Sequence, residues 1–404
     1  MLALCLVFVL CLVLSACDGN NKTGAVCATG HYYENKICKN CGNLEPSKGL
    51  VFTSNGKGTC YVSGIGTCTD TDVVIPSTSP KGDRVTSIGK MAFFWCRNLT
   101  SIHIPDSVTS IGERAFGCCN SLESITIGNG VKSIGSYAFS SCESLTSIEI
   151  PDSVMSIGEG AFSRCKNLAS VNISNSVTSI DSAAFYYCTS LASIEIPDSV
   201  TSMGSSAFSY CTNLESITIG NGVTSIEDET FWSCTSLTRI EITDSVTNIG
   251  DEAFCKCNSL ESVTIGNSVT SIRSSAFTWC TSLTDITVDS RNPHYSSENG
   301  VLYNKNKTSL VQFPAGKRLS SFRIPSGVTN IEGYAFYYCK NIECINIPDS
   351  VTNIGYEAFC GCSNIEEINY NGTKSQWRNV NKGFYWDFFV SAYEIRCIDG
   401  NISR

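Results

Sequence analysis

From about residue 85 onward the apolar positions of this chain recur with a period of 23 residues. Phenylalanine marks it. Phe93, Phe116, Phe139, Phe162, Phe185, Phe208, Phe231, Phe254 and Phe277 are evenly spaced, and Phe336 and Phe359 resume the interval after a longer gap. Around Phe116 the unit reads Ile102, Ile104, Val108, Ile111, Ala115, Phe116, Cys119 and Leu122, and these columns recur in nearly every copy. One such unit cannot bury its apolar face, whereas stacked units bury a continuous core, so the period predicts a solenoid. Leu-x-x-Ile-x-Ile (Leu122 to Ile127) ends in strict alternation, which predicts a short parallel strand with Ser124 and Thr126 outward. Pro-Asp-Ser or Gly-Asn-Gly turns the corner. Ile111, Ala115, Phe116 and Cys119 then fall at helical spacing, predicting one or two helical turns on the opposite wall. The expected class is an α/β repeat solenoid of stacked parallel strands and short helical turns.

The pattern changes at both ends. Residues 1–16 are almost wholly apolar yet short for a membrane span, as in a signal peptide. Residues 17–25 form a polar tether, and 26–49 are a Cys-rich segment without apolar periodicity. Residues 50–84 hold strand-like runs (Leu50–Thr53, Tyr61–Ser63, Val73–Ile75) expected to cap the open end of the first repeat. The array then covers 85–288. An insertion follows at 289–327, with two apolar runs that predict a hairpin, and repeats continue through 328–370. Over 371–404 the pattern stops and large aromatics gather (Trp377, Phe384, Tyr385, Trp386, Phe388, Phe389). They are expected to cover the last rung, with an exposed binding patch as the alternative.

Three features together resemble the BspA-like leucine-rich-repeat surface proteins over roughly residues 50–400. They are the unit Ile-x-Ile-Pro-x-x-Val-x-x-Ile-Gly-x-x-Ala-Phe-x-x-Cys, the insertion from Asn292-Pro293-His294-Tyr295 to Phe313-Pro314, and the closing Gly372-Thr-Lys-Ser-Gln-Trp377. The resemblance implies a leucine-rich-repeat solenoid acting as an adhesin or surface antigen. Its ligand would be a host or neighbour-cell protein or glycan, and the resemblance carries over no ligand-binding residue. Leu14-Ser15-Ala16-Cys17 resembles the lipobox of bacterial lipoproteins, in which Cys17 carries the acyl chains. That implies a cell-envelope or cell-surface protein whose only membrane attachment is its lipid. An ordinary cleavable signal and a secreted protein are the alternative.

Charge and chemistry narrow the function further. The net charge is -9, so phosphate backbones are repelled and nucleic acid is excluded as a partner. Eleven of the 24 cysteines occupy one column, three residues after each repeat Phe. Neighbouring rungs lie within disulfide reach. The column is odd in number and its side chains point one way, so buried thiols behaving as small apolar groups are expected. Cys27, Cys38, Cys41, Cys60 and Cys68 precede the ladder, where disulfides are expected with their connectivity open. His31, His103 and His294 are scattered, and no metal or cofactor site is expected. No Gly-x-Ser-x-Gly elbow accompanies them, and Glu149, Glu195 and Glu241 stand two rungs apart, so no catalysis is expected. The recognition module of a secreted enzyme and a purely structural envelope spacer are the alternative functions. Within the insertion Arg291, Lys305, Lys307, Lys317 and Arg318 make a candidate binding patch, against a hairpin that merely pads the stack. Corners alternate between Pro105-Asp106 and Gly128-Asn129, then Pro151-Asp152, and outward Glu alternates with Thr. Both patterns reflect either dilution of like charges or duplication of a paired unit.

Overall fold

The computed structural model describes residues 33–391 and 393–403, and the chain divides into two units, 1–46 and 47–404. Cys17, Cys27 and His31 lie outside the described residues, as does the lipobox. In the first unit Tyr33–Glu34 and Ile37–Cys38 pair as an antiparallel hairpin, and the Cys38 N–H donates to the Asn43 carbonyl at 2.7 Å. Cys41 sits in the turn that follows.

The second unit is a β-solenoid with three walls. The first wall carries the expected strands in one-to-one parallel register: Ser193–Ile196 with Ser216–Ile219, and Arg239–Ile242 with Ser262–Ile265 and then Asp285–Val288. Ile194 and Ile196 point inward while Ser193 and Glu195 are exposed. Glu195 faces Thr218 and Glu241 faces Thr264, so no carboxylate opposes another across these pairs. At the corners Asp106, Asp198 and Asp244 accept the backbone N–H of Asn129, Asn221 and Asn267 one rung on, at 2.7, 2.7 and 2.8 Å. The Asn221 and Asn267 side-chain amides also donate to Asp198 and Asp244, at 3.3 and 2.8 Å, which an Asp in their place could not do. A Cβ at Gly130 would stand 1.9 Å from the Asp106 carbonyl, so the neutral corner also has to be small.

The other two walls differ from the expectation. Ser110–Ile111, Ser133–Ile134, Ser156–Ile157 and their equivalents are strands, and they form a second parallel sheet that reaches back to the antiparallel pair Val51–Gly56 and Thr59–Gly64. The segment from Gly112 to Cys119 is a run of turns rather than helix. Its N–H groups alternate. Arg114, Phe116 and Cys118 donate to Ser136, Ala138 and Ser140 of the next rung at 2.9, 2.7 and 2.8 Å, while Ala115, Gly117 and Cys119 donate three residues back at 3.1–3.3 Å. Arg114 and Cys118 adopt φ of 52° and 60°, which no α-helix contains. Rung spacing explains the choice: strands stack about 4.8 Å apart, whereas helix axes need about 8–10 Å. Among the described residues the only α-helix is Lys374–Asn379.

Inside, the Phe rings stack from Phe93 to Phe277 with centroids 5.0–5.8 Å apart and planes within 14° of parallel. Each ladder thiol does more than fill space. Cys188 Sγ donates to the Phe162 carbonyl at 3.2 Å and Cys211 Sγ to the Phe185 carbonyl at 3.2 Å. The same Phe162 carbonyl accepts the Cys165 N–H at 3.2 Å, so both lone pairs are used. Burial pushes the Cys165 and Cys211 thiols up to about 12 from their ordinary 9.0. The native array thus holds protons that an unfolded chain releases. Its stability is intact below pH 9 and falls as pH rises from 9 towards 12. We expect the urea midpoint to drop between pH 7.5 and pH 10.5; equal midpoints contradict the buried-thiol ladder. Alkylation of the native protein should leave Cys142 to Cys234 unlabelled, and peptides cross-linked between rungs in a non-reducing digest contradict the same ladder.

The ends and the insertion complete the stack. Cys60 is a buried free thiol donating to the Asp83 carbonyl at 3.6 Å, and Cys68 is a half-buried free thiol. The insertion adds three strands rather than two. Tyr295–Glu298 pairs antiparallel with Val301–Asn304, which pairs antiparallel with Ser309–Gln312, and that strand pairs parallel with Asn330–Ile331 in a separate sheet. Phe313 restarts the ring column, 5.2 Å from Phe336. Past Trp377 the repeat spelling ends but the backbone makes one more rung: Glu357, Phe359 and Gly361 donate to the carbonyls of Phe384, Trp386 and Phe388 at 3.2, 2.6 and 2.9 Å. Trp386 closes the core edge-on to Phe359, with Trp377 buried beside it.

Candidate functional site: the outer face of the turn wall

With φ positive at every fourth residue, the turn wall sends Ala, Phe and Cys inward and presents the two residues between Phe and Cys to the outside. The first rung carries Phe94-Trp95, and the next three carry the smaller or charged Gly117-Cys118, Ser140-Ser141 and Ser163-Arg164. From Phe185 on an aromatic returns in most rungs, though not after Phe254 or Phe359, where Cys255-Lys256 and Cys360-Gly361 stand. Tyr187 packs 5.5 Å from Tyr210, which meets the edge of Trp232 at 4.5 Å. Further along, Trp279 lies 3.8 Å from Tyr338, and Tyr356 continues to Tyr385 at 6.2 Å and Phe388 at 5.2 Å beyond it. The row ends on Phe384 and Phe389, which are 83% and 69% exposed. The C-terminal aromatics therefore divide, Trp377 and Trp386 closing the core and the Phe residues forming a surface. A conspicuous apolar surface of this kind marks an interaction face.

The row crosses the insertion, Trp279 meeting Tyr338, and geometry explains why. From Leu310 to Phe313 the inserted rung is two residues shorter than the Ile111-to-Phe116 span of a regular one, so it contributes no outer loop there. Ser274 then faces Gly333 directly; a Cβ on the latter would lie 3.7 Å from the serine Cβ. Two grooves flank Trp279 at this seam. One, of about 330 Å³, is bounded by Trp232, Trp279, Tyr334 and Tyr337 with Glu252 and Glu357 on its sides. The other, of about 480 Å³, runs from Trp279 and Tyr338 to Asn258 and Asn341 over a floor at Ala315. A larger cavity of about 510 Å³ lies against Glu159, Asp181 and Glu227, and no cluster of metal-ligating side chains occurs among the described residues.

The five basic residues of the insertion do not converge. Arg291 is held by Asp289 at 2.8 Å and Asp244 at 3.4 Å, and Lys307 by Glu298 at 2.8 Å. Lys305 donates to the carbonyls of Ser290 and Asn292 at 3.1 and 2.5 Å, and Lys317 to that of Thr284 at 3.4 Å. Arg318 alone is exposed without such a partner shown. Asn292, the first residue of the insertion motif, is fully buried and caps the preceding rung. Its Nδ2 donates to Gly266 and Val269 carbonyls at 2.9 and 3.1 Å, and its Oδ1 accepts from His294 and Tyr295 N–H, both at 2.8 Å. His103 stands outward beside Thr126, and burial lowers its pKa.

Sequence reasoning missed the aromatic row because it runs along positions that vary from copy to copy. Aligning residues one and two places after each Phe reveals Tyr187, Tyr210, Trp232, Trp279 and Tyr338, whereas Tyr356 and Tyr385 stand before the core aromatic of their rungs.

The family description "BspA type leucine rich repeat region" matches residues 86–215, 201–317 and 311–377, in six copies. The chain belongs to this BspA-type leucine-rich-repeat family. Among solved structures, a leucine rich cell surface protein from Faecalibacterium prausnitzii is 30% identical over 83% of this chain and 97% of its own, with a TM-score of 0.51. A leucine-rich repeat protein from Bacteroides ovatus is 26% identical over 86% of this chain and 98% of its own, with a TM-score of 0.56. Both relatives are named for their leucine-rich repeats. No functionally curated protein matches the chain. No helix among the described residues of this BspA-type chain is long and apolar enough to cross a membrane.

Proposed function

We propose that this BspA-type chain is a non-catalytic surface protein, lipid-anchored through Cys17 or secreted, that binds a macromolecule along the aromatic face of its turn wall. The ligand class is a protein or glycan of a host or neighbouring cell. The outer row from Tyr187 to Phe389, broken where Cys255 and Lys256 follow Phe254, carries the reading, because aromatic anchors dominate the energetics of many interaction surfaces. The strand wall offers instead a repeated Ser, Thr and Glu surface with isolated charges. Pairing of Arg291 and Lys307 within the insertion argues against a basic docking patch there. A purely structural spacer has no use for an exposed aromatic row of this kind.

Capture of matrix proteins and glycans by the soluble 18–404 fragment tests the reading. Tyr187→Ser combined with Phe384→Ser and Phe389→Ser should abolish capture, while Glu195→Ala with Glu241→Ala and Lys307→Ala with Arg318→Ala should leave it unchanged and insensitive to salt. Loss confined to the strand-wall or basic variants overturns it, and an absence of any capture returns the chain to a spacer.

A further inference from the structure

We propose that the two grooves flanking Trp279 are adjoining subsites for a neutral oligosaccharide. This rests on the turn-wall reading and names the ligand class at one place on it. Aromatic rings line each groove: Trp279 and Tyr337 in one and Trp279 in the other, while Trp232 and Tyr338 each carry a lysine of this chain over their face. The C–H face of a pyranose is weakly positive and packs on the negative face of such rings. Around the platforms stand acceptors and donors in mixture, which is what vicinal hydroxyls require. Glu252 and Glu357 accept, Lys256 and Lys340 donate, and the Asn258 and Asn341 amides do both.

The charge pattern separates this ligand from the others an aromatic groove attracts. A quaternary ammonium or a lysine side chain would sit over a ring face, but the protein's own cations already hold those places. Lys256 Nζ lies 4.6 Å from the Trp232 centroid and Lys340 Nζ 4.7 Å from that of Tyr338. An anionic glycan or a phosphate would meet Glu252 and Glu357, and burial together with nearby Asp251 and Glu229 already raises the Glu252 carboxyl. A neutral sugar offends neither. The volumes, about 330 and 480 Å³, lie within the range of small-ligand sites, and sharing of Trp279 makes them consecutive along one chain.

The test is calorimetric titration of the 18–404 fragment with neutral gluco-, manno-, galacto- and N-acetylglucosamine oligosaccharides, with tryptophan fluorescence followed in parallel. At least one series should bind, quench the fluorescence and resist added salt. Trp279→Ala should weaken it roughly tenfold or more, and Asn258→Ala, an exposed change that leaves the aromatic packing in place, several-fold. Tyr187→Ser, outside both grooves, should leave sugar binding intact while weakening capture of the macromolecular ligand. Absence of binding by every neutral series, binding unaffected by both groove variants, or preference for tetramethylammonium or inorganic phosphate overturns the sugar assignment. If capture of a protein ligand is still lost in the Tyr187, Phe384 and Phe389 variant, the turn-wall reading survives that failure; if capture is also unchanged, both fail.

Discussion

Phe185→Ala should cost the array about 3–5 kcal/mol and lower the thermal midpoint markedly, whereas Glu195→Ala should be nearly neutral. Phe185 is fully buried, with Phe162 and Phe208 stacked 5.4 Å away on either side. Removing its ring leaves a void that two neighbouring rungs line, and the ladder thiols above and below hold the backbone too rigidly for it to collapse. Because each rung of a solenoid touches only its neighbours, the loss falls on the coupling between the two halves of the array. We expect the unfolding transition of Phe185→Ala to broaden or split. Equal midpoints for the two variants contradict the assignment of inside and outside.

Asn292→Ala should be as damaging, by about 3 kcal/mol or more, although no apolar core is lost. Four backbone groups lose their partner at once: the carbonyls of Gly266 and Val269 and the N–H groups of His294 and Tyr295. Each buried group left unsatisfied costs about 1–3 kcal/mol, part of which relaxation recovers. Asn292→Asp should not rescue, because its carboxylate faces the two carbonyls that now receive the amide. Denaturant titration of the two variants decides this. If Asn292→Asp matches the parent, the buried amide is not what ties the insertion to the preceding rung.

The interior of this protein was legible in its sequence, and the outside only partly so. The Phe, Ile and Cys columns announce a stacked core because burial repeats with the rung. The helical reading of the Ile111-to-Cys119 segment failed for a specific reason. A wall of turns also points one residue inward every fourth position, so Ile111, Ala115 and Cys119 fit both patterns. What separates the two is the lateral spacing set by the strands, a property of the stack rather than of the segment. The sequence shows the thiols as buried small groups but not their hydrogen bonds, because their acceptor, a carbonyl one rung back, is 26 residues away. The alternating corners could not be told from duplication history until the Asn221 and Asn267 amides proved to donate to Asp198 and Asp244, which an Asp in their place could not do. The basic cluster of the insertion misled in the opposite way. Composition counts Arg291 and Lys307 but is silent on Asp289 and Glu298, which hold them. The aromatic row was hidden because it uses the columns that vary.

Hydroxyl-radical footprinting of the 18–404 fragment, free and saturated with a captured ligand, tests the functional account most directly. Tyr, Trp and Phe are readily oxidised, so the outer row reports on itself. The account predicts protection at Tyr187, Tyr210, Trp279, Tyr338 and Phe389, with the strand wall and the insertion hairpin unchanged. Protection confined to the strand wall around Arg239–Ile242, or to Tyr295–Glu298 of the insertion, with the aromatic row as reactive as in the free protein, would contradict it.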